Sequence, residues 1–188
     1  MKIRHAALFA LVTVCSVLLA NRSVLSGSNE PIRIVLASKT SQNVIAHIVG
    51  QALIEAGFRF ELVKVAKMKI TLISSGAAHF DPLFDVPKAR EALDRAIHEE
   101  KVYSLGGLQA NGPDEPQLKV IWVGVRNKWP NAEKLFKRMI MPIDELNAIA
   151  RSIDAGDVPL EKAVDTWMAE NSSTWKSWIS ASRNWMKP

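Results

Sequence analysis

The loop formed by Ser38, Lys39, Thr40 and Ser41 holds the residues best suited to binding chemistry in this sequence. It joins the carboxyl end of a predicted first strand to the amino end of a predicted first helix. Ligands of open α/β sheets bind at this edge, because free N–H groups, hydroxyls and the positive end of the helix dipole converge there. Capping of the helix by Thr40 or Ser41 is the alternative role, and both roles are compatible.

A second segment, residues 80 to 84, is expected to reach the same edge of the sheet from another strand. Asp81 and Phe84 would then line the same pocket as the loop. Packing in the core is the alternative role for Phe84, as for any large aromatic side chain. The sequence thus predicts a set of ligand-binding residues: Ser38, Lys39, Thr40, Ser41, Asp81 and Phe84.

No constellation typical of an enzyme stands out. His47, His79 and His98 lack metal-ligand spacing to one another or to acidic residues. We expect plain surface roles for them, with His47 and His98 on exposed helix faces. The sequence also offers no nucleophile paired with a base. We therefore predict that the protein is not an enzyme and has no cofactor and no metal site.

The elements that position these residues follow from hydrophobic periodicity. The patterns predict an α/β protein with a mostly parallel sheet, flanking helices and a C-terminal helical segment. Strands are predicted at residues 32–37, 58–65, 101–105 and 118–125, with a strand end or loop at 80–86. Helices are predicted at residues 41–56, 87–100, 131–139, 143–155, 159–170 and 172–185, with a short helix or turn at 68–75.

Tryptophan is the most prominent aromatic residue, with six copies in the chain. Trp residues can form a cage for a quaternary ammonium ion. Trp167, Trp175 and Trp178, however, recur at helical spacing among aliphatic residues. This spacing predicts that they pack in the core between helices.

Residues 1 to 28 are typical of a targeting segment. Lys2, Arg4 and His5 precede an uncharged apolar stretch from residue 6 to residue 20, and small residues follow. This order predicts a secretory signal peptide. The alternative is an uncleaved N-terminal membrane anchor, although fifteen helical residues span only about 22 Å of the roughly 30 Å of hydrocarbon. Residues 29 to 188 are predicted to form a single α/β domain.

The charge of the chain changes when this segment is removed. The 188 residues contain 24 Lys plus Arg and 19 Asp plus Glu, a formal charge of +5. Without residues 1 to 28 the basic count falls by three to 21, which leaves +2, and the single cysteine, Cys15, is lost as well. The predicted mature chain therefore gives no electrostatic reason to bind nucleic acid, and we predict a periplasmic location.

Three stretches carry a resemblance to a known family. The first is residues 32 to 65, and the second is residues 75 to 82 with residues 101 to 106. The third, most specific, runs from residue 130 to residue 179 and holds Asp144-Glu145-Leu146-Asn147, Asp154-Ala155-Gly156, Trp167, Asn171 and Trp175. In these stretches the chain resembles the substrate-binding proteins of ABC importers for glycine betaine, proline betaine and choline.

The resemblance implies the type II periplasmic-binding-protein fold, a small quaternary-amine solute and the membrane subunits of an ABC importer as partners. Members of that family are clamshells of two lobes, whereas about 160 residues suit one lobe plus helices. We expect the deletion of the second lobe to lie near residues 106 to 117. Where the family tends to have a cage tryptophan, this chain has Lys39, a cation that would repel a quaternary ammonium.

Two functions follow as expectations. The first is a substrate-binding-protein-like component of an importer for betaine- or choline-type solutes. The second is a lobe repurposed as a structural or interaction subunit that docks on a membrane complex without binding a solute. Membrane association through uncleaved residues 1 to 28 would support the second.

Overall fold

A computed structural model describes residues 29–65, 69–109 and 117–183 of the chain. The predicted signal peptide or anchor at residues 1 to 28 and most of the predicted deletion point at residues 106 to 117 lie outside the described residues. So does Trp185.

The first half of the described chain alternates strands and helices. Strand β1 is Ile32–Leu36, helix α1 is Thr40–Glu55, strand β2 is Phe60–Lys64, helix α2 is Lys69–Ser74, strand β3 is Phe80–Asp85, helix α3 is Arg90–His98 and strand β4 is Val102–Ser104. Strand β5, Gln117–Trp122, precedes five helices: α4 Val125–Lys128, α5 Pro130–Arg138, α6 Ile143–Asp154, α7 Leu160–Glu170 and α8 Ser172–Arg183.

The five strands form one sheet in the order β2-β1-β3-β5-β4. Strand β1 pairs in parallel with both β2 and β3. Strand β5 runs antiparallel to both of its neighbours, β3 and β4. The sheet is therefore mixed and mostly parallel, and the carboxyl ends of β1, β2 and β3 meet at one edge.

Each face of the sheet is covered by helices. Alternation along β1 turns Ile32 and Ile34 toward the core under α1 and the C-terminal helices, and turns Val35 toward the core under α2 and α3. The larger core includes Trp167, Trp175 and Trp178, each at most 8% exposed, which confirms their predicted packing role. Burial of these apolar stripes is the main force that holds the layers together.

Segment 80–86, predicted as a strand end or loop, is a central strand. Its pairing register shifts between Asp81 and Phe84, around Pro82. Proline cannot donate to a ladder and in a sheet interior is found at such bulges. The Leu83 N–H instead donates to Asp81 Oδ1 at 2.9 Å, and Gln42 Nε2 donates to the Leu83 carbonyl at 2.8 Å. Side chains thus satisfy backbone groups that the bulge removes from the ladder.

The strand predicted at residues 118–125 ends at Trp122, and the short helix α4 follows. The reason lies at Gly124, whose missing side chain leaves room for the Trp122 ring; a Cβ there would overlap the indole. The chain can therefore turn at once from strand to helix. The sequence-based prediction of continued strand to residue 125 is wrong for this reason.

Candidate functional site

A cavity of about 360 Å³ lies at the carboxyl edge of the sheet. The loop after β1, the ends of β2 and β3 and the helices α1, α2 and α3 all contribute to its walls. Ser38, Lys39 and Phe84, three of the predicted binding residues, line this cavity. The structure thus brings them together at the edge where parallel α/β sheets bind ligands.

Charged side chains surround the cavity. Lys39, Lys69, Lys88 and Asp85 are lining residues. The Asp85 carboxylate pairs with two of them, at 3.7 Å from Lys39 Nζ and 3.1 Å from Lys88 Nζ. Sequence reasoning did not select Lys69, Lys88 or Asp85, because the local pattern around a charged residue gives no signal for the cavity that it lines.

Asp81 does not line this cavity. Its side chain is buried beneath Lys69, with Oδ2 at 3.2 Å from the lysine Nζ. Burial raises the pKa of the Asp81 carboxyl, while the Lys69 charge and the Leu83 N–H act in the opposite direction. Asp81 therefore stabilises the β3 bulge and pairs with Lys69, and it does not line the cavity as the sequence predicted.

Phe84 contributes to both the core and the cavity. Its side chain is 2% exposed and packs in the smaller core with Val35 and Ile70. It is also the one aromatic residue among the described residues that line the cavity. Both roles considered for Phe84 in the sequence are therefore compatible with its position.

Thr40 and Ser41 lie on the other side of the loop. They line a second, more open depression together with Ser38, Lys39 and residues of α6 that include Arg151 and Asp154. The prediction that Thr40 or Ser41 caps α1 is wrong: the helix begins at Thr40, and the preceding Lys39 makes no side-chain capping bond. Thr40 Oγ1 instead donates to Asp154 Oδ1, which ties the start of α1 to the end of α6.

His79 lies at the opposite edge of the sheet, and the predicted surface role is wrong for it. It is 2% exposed, with ring centroids 5.5 Å from Trp122 and 4.7 Å from Trp129. The Arg33 backbone N–H donates to Nδ1 at 3.0 Å, and Arg33 Nη2 lies 2.9 Å from Nε2. Both ring nitrogens are thus occupied by Arg33. The pairing of Phe80 with Ile121 sets His79 beside Trp122, and this register is set by the tertiary structure, so the local sequence around His79 gives no signal for it.

The other two histidines differ from each other. His98 is exposed, as predicted, whereas His47 is half-buried on α1. Burial lowers the pKa of His47, and Glu161 partly opposes that shift. No group of three or more His, Cys, Asp or Glu side chains that could hold a metal ion occurs in the described part of the chain. In that same part, every helix is too short or too polar to cross a bilayer.

Comparison with known proteins bears on the fold. No family model matches the chain. The structure is similar to the crystal structure of lactococcal OpuAC in its closed-liganded conformation complexed with glycine betaine, with a TM-score of 0.62 and 12% sequence identity. The two chains share a fold. The match covers 80% of this chain and 99% of the other. It confirms the predicted α/β class, with a mostly parallel sheet and flanking helices.

Proposed function

We propose that the protein is an extracytoplasmic substrate-binding-protein-like component of an ABC importer. It would capture a small solute in the carboxyl-edge cavity and deliver it to the membrane subunits. The observation that carries this proposal is the 360 Å³ cavity at the carboxyl ends of β1, β2 and β3. Its volume lies within the range of small-molecule sites, and it occurs in a chain that shares its fold with a protein complexed with glycine betaine.

Betaine- or choline-type quaternary amines are the solute class that the sequence resemblance implies. Within that class, the betaines fit the cavity better than choline does. A betaine carries a carboxylate that Lys39 or Lys88 could contact, whereas choline would bring only a cation to a wall lined by three lysines.

Calorimetric titration of the purified protein with glycine betaine, proline betaine and choline tests this proposal. We expect saturable heat with at least one betaine and weaker binding of choline. The expected affinity is modest, because an open cavity on one lobe desolvates a solute less completely than an enclosed site. Flat titrations with all three solutes would contradict the solute-binding role.

The second candidate function is a structural or interaction subunit that docks on a membrane complex and binds no solute. The observation in its favour is the scarcity of aromatic side chains in the cavity, where Phe84 alone is present among the described lining residues. Crosslinking in membranes followed by mass spectrometry separates the two. The subunit role predicts a stable complex in the absence of solute together with flat titrations.

A further inference from the structure

We propose that the carboxyl-edge cavity recognises a carboxylate group, so that small organic anions bind there at least as well as quaternary amines. The inference rests on the proposed solute-binding function and specifies the chemical class of the solute. It begins with the charges on the lining: Lys39, Lys69 and Lys88 against Asp85. These cations come from three different elements, namely the loop before α1, helix α2 and the segment before α3.

Asp85 cannot neutralise both of the lysines that it contacts. One carboxylate faces Lys88 Nζ at 3.1 Å and Lys39 Nζ at 3.7 Å, which leaves one positive charge in excess at the mouth. The two lysine side chains are 71% and 52% exposed, whereas Asp85 is 23% exposed. The lysines are therefore free to turn toward a ligand, while the aspartate stays at the end of β3.

Lys69 lies on the inner side of the cavity. Its side chain is only 20% exposed, and it forms an ion pair with buried Asp81. The Nζ atom itself is buried, and the Asp81 carboxylate at 3.2 Å balances its charge. Lys69 therefore contributes the carbon chain of its side chain to the wall, and the excess positive charge at the cavity comes from Lys39 and Lys88.

The rest of the lining does not suit a quaternary ammonium. Aromatic cages surround such a cation with several rings, and the described lining offers only Phe84. The other apolar lining residues are aliphatic, such as Val65 and Ile70. The amino end of α1 also borders the cavity, and its dipole favours negative charge.

Four isosteric probes test separately how the ammonium end and the carboxylate end of a betaine contribute to binding. Glycine betaine and choline share a trimethylammonium group, and 3,3-dimethylbutanoate and 3,3-dimethylbutan-1-ol replace it by a tert-butyl group. Within each pair, one compound has a carboxylate and the other a hydroxymethyl group. We expect 3,3-dimethylbutanoate to bind at least as tightly as glycine betaine, and choline and the alcohol to bind at least about tenfold more weakly, in calorimetric titrations at low salt.

The outcomes distinguish this inference from the proposed function. Choline binding as tightly as glycine betaine, with no binding of 3,3-dimethylbutanoate, would overturn carboxylate recognition while solute binding stands. Four flat titrations would overturn both.

Three substitutions test which residues contribute to binding of the carboxylate. Lys39→Met and Lys88→Met should each weaken 3,3-dimethylbutanoate about threefold, the scale of a solvent-exposed charge pair. Asp85→Asn should strengthen it by a similar factor, because both lysines lose their competing partner. Lys162→Met, on an exposed site of α7 outside the cavity, is the matched control and should change nothing. Weaker binding in Asp85→Asn would overturn the assignment.

Discussion

His79 is held neutral by its surroundings. Burial lowers the pKa of its imidazole to about 4, and the charges of Arg33 and Lys128 act in the same direction. In the unfolded chain the same group titrates near its ordinary value of about 6.5. Between these two values the unfolded state binds more protons than the folded state, so the free energy of unfolding must decrease as the pH falls.

This difference predicts a specific pH dependence of stability. The contribution of His79 is fully present above about pH 6.5 and is lost as the pH falls toward 4, by about 2 kcal/mol at pH 4.5. Urea denaturation of the protein and of His79→Gln at pH 7 and pH 4.5 measures the effect. The variant should lose less stability over this interval, whereas His98→Gln should behave like the parent. Equal losses in parent and His79→Gln would contradict the assignment.

Single residues of the candidate site were predictable where a strand leads into a helix. The pattern of β1 followed by α1 placed Ser38 and Lys39 at the carboxyl edge, where they line the cavity. Asp81 could not be placed in the same way, because the bulge at Pro82 sends its side chain inward to accept the Leu83 N–H. Alternation along a regular strand gives no indication of such a bulge. That any of these residues binds a ligand stays a prediction.

At the scale of elements, helix α1 packs closely on strand β2. The contact is made at Gly50, where an added Cβ would overlap the ring of Phe60. The absence of a side chain at position 50 thus sets the distance between helix and sheet. Because Lys39 directly precedes α1 and Gln42 lies in its first turn, this distance also sets the position of one wall of the cavity.

Gly50→Ala should therefore destabilise the protein by about 2 kcal/mol, although alanine favours helices more than glycine does. The measurement is the free energy of unfolding from urea denaturation. Phe60→Leu relieves the overlap, so in a double-mutant cycle the effect of Gly50→Ala should become smaller in the Phe60→Leu background. A neutral or stabilising Gly50→Ala would show that the layers can separate without cost.

The long helices and outer strands were predictable because each has a clear period of apolar residues. Helices α6 and α7 begin within a residue of their predicted starts. Strand β3 and helix α4 were not predictable, and in both cases the cause is tertiary. Proline in β3 is tolerated because Asp81 and Gln42 satisfy the bulge, and α4 begins because the Trp122 ring occupies the space over Gly124.

At the scale of the whole molecule, the sheet order places β5 antiparallel between β3 and β4. The chain thus passes from edge strand β4 directly to a strand inside the sheet, through residues 105 to 116. A second lobe inserted at this point would leave the sheet intact. The deletion of a lobe near residues 106 to 117 stays a prediction.

The position of the mature amino terminus distinguishes a free protein from one anchored in the membrane. We expect cleavage after Ala20, Ser26 or Ser28, since each leaves a small residue at the cut. Intact-mass spectrometry of the protein recovered from an exporting bacterial host measures this directly. A mass that includes Met1 would instead support the anchored interaction subunit.

The central claim is that the carboxyl-edge cavity binds a small carboxylate-bearing solute. The most direct test is a calorimetric titration that also locates the site. Ala92 lines the cavity from α3, and Ala92→Phe would fill it. Ala169→Phe adds the same ring at an exposed position of α7.

We predict saturable binding of glycine betaine and 3,3-dimethylbutanoate to the parent and to Ala169→Phe, and at least about tenfold weaker binding to Ala92→Phe. Flat titrations of the parent, or unchanged binding in Ala92→Phe, would contradict the account.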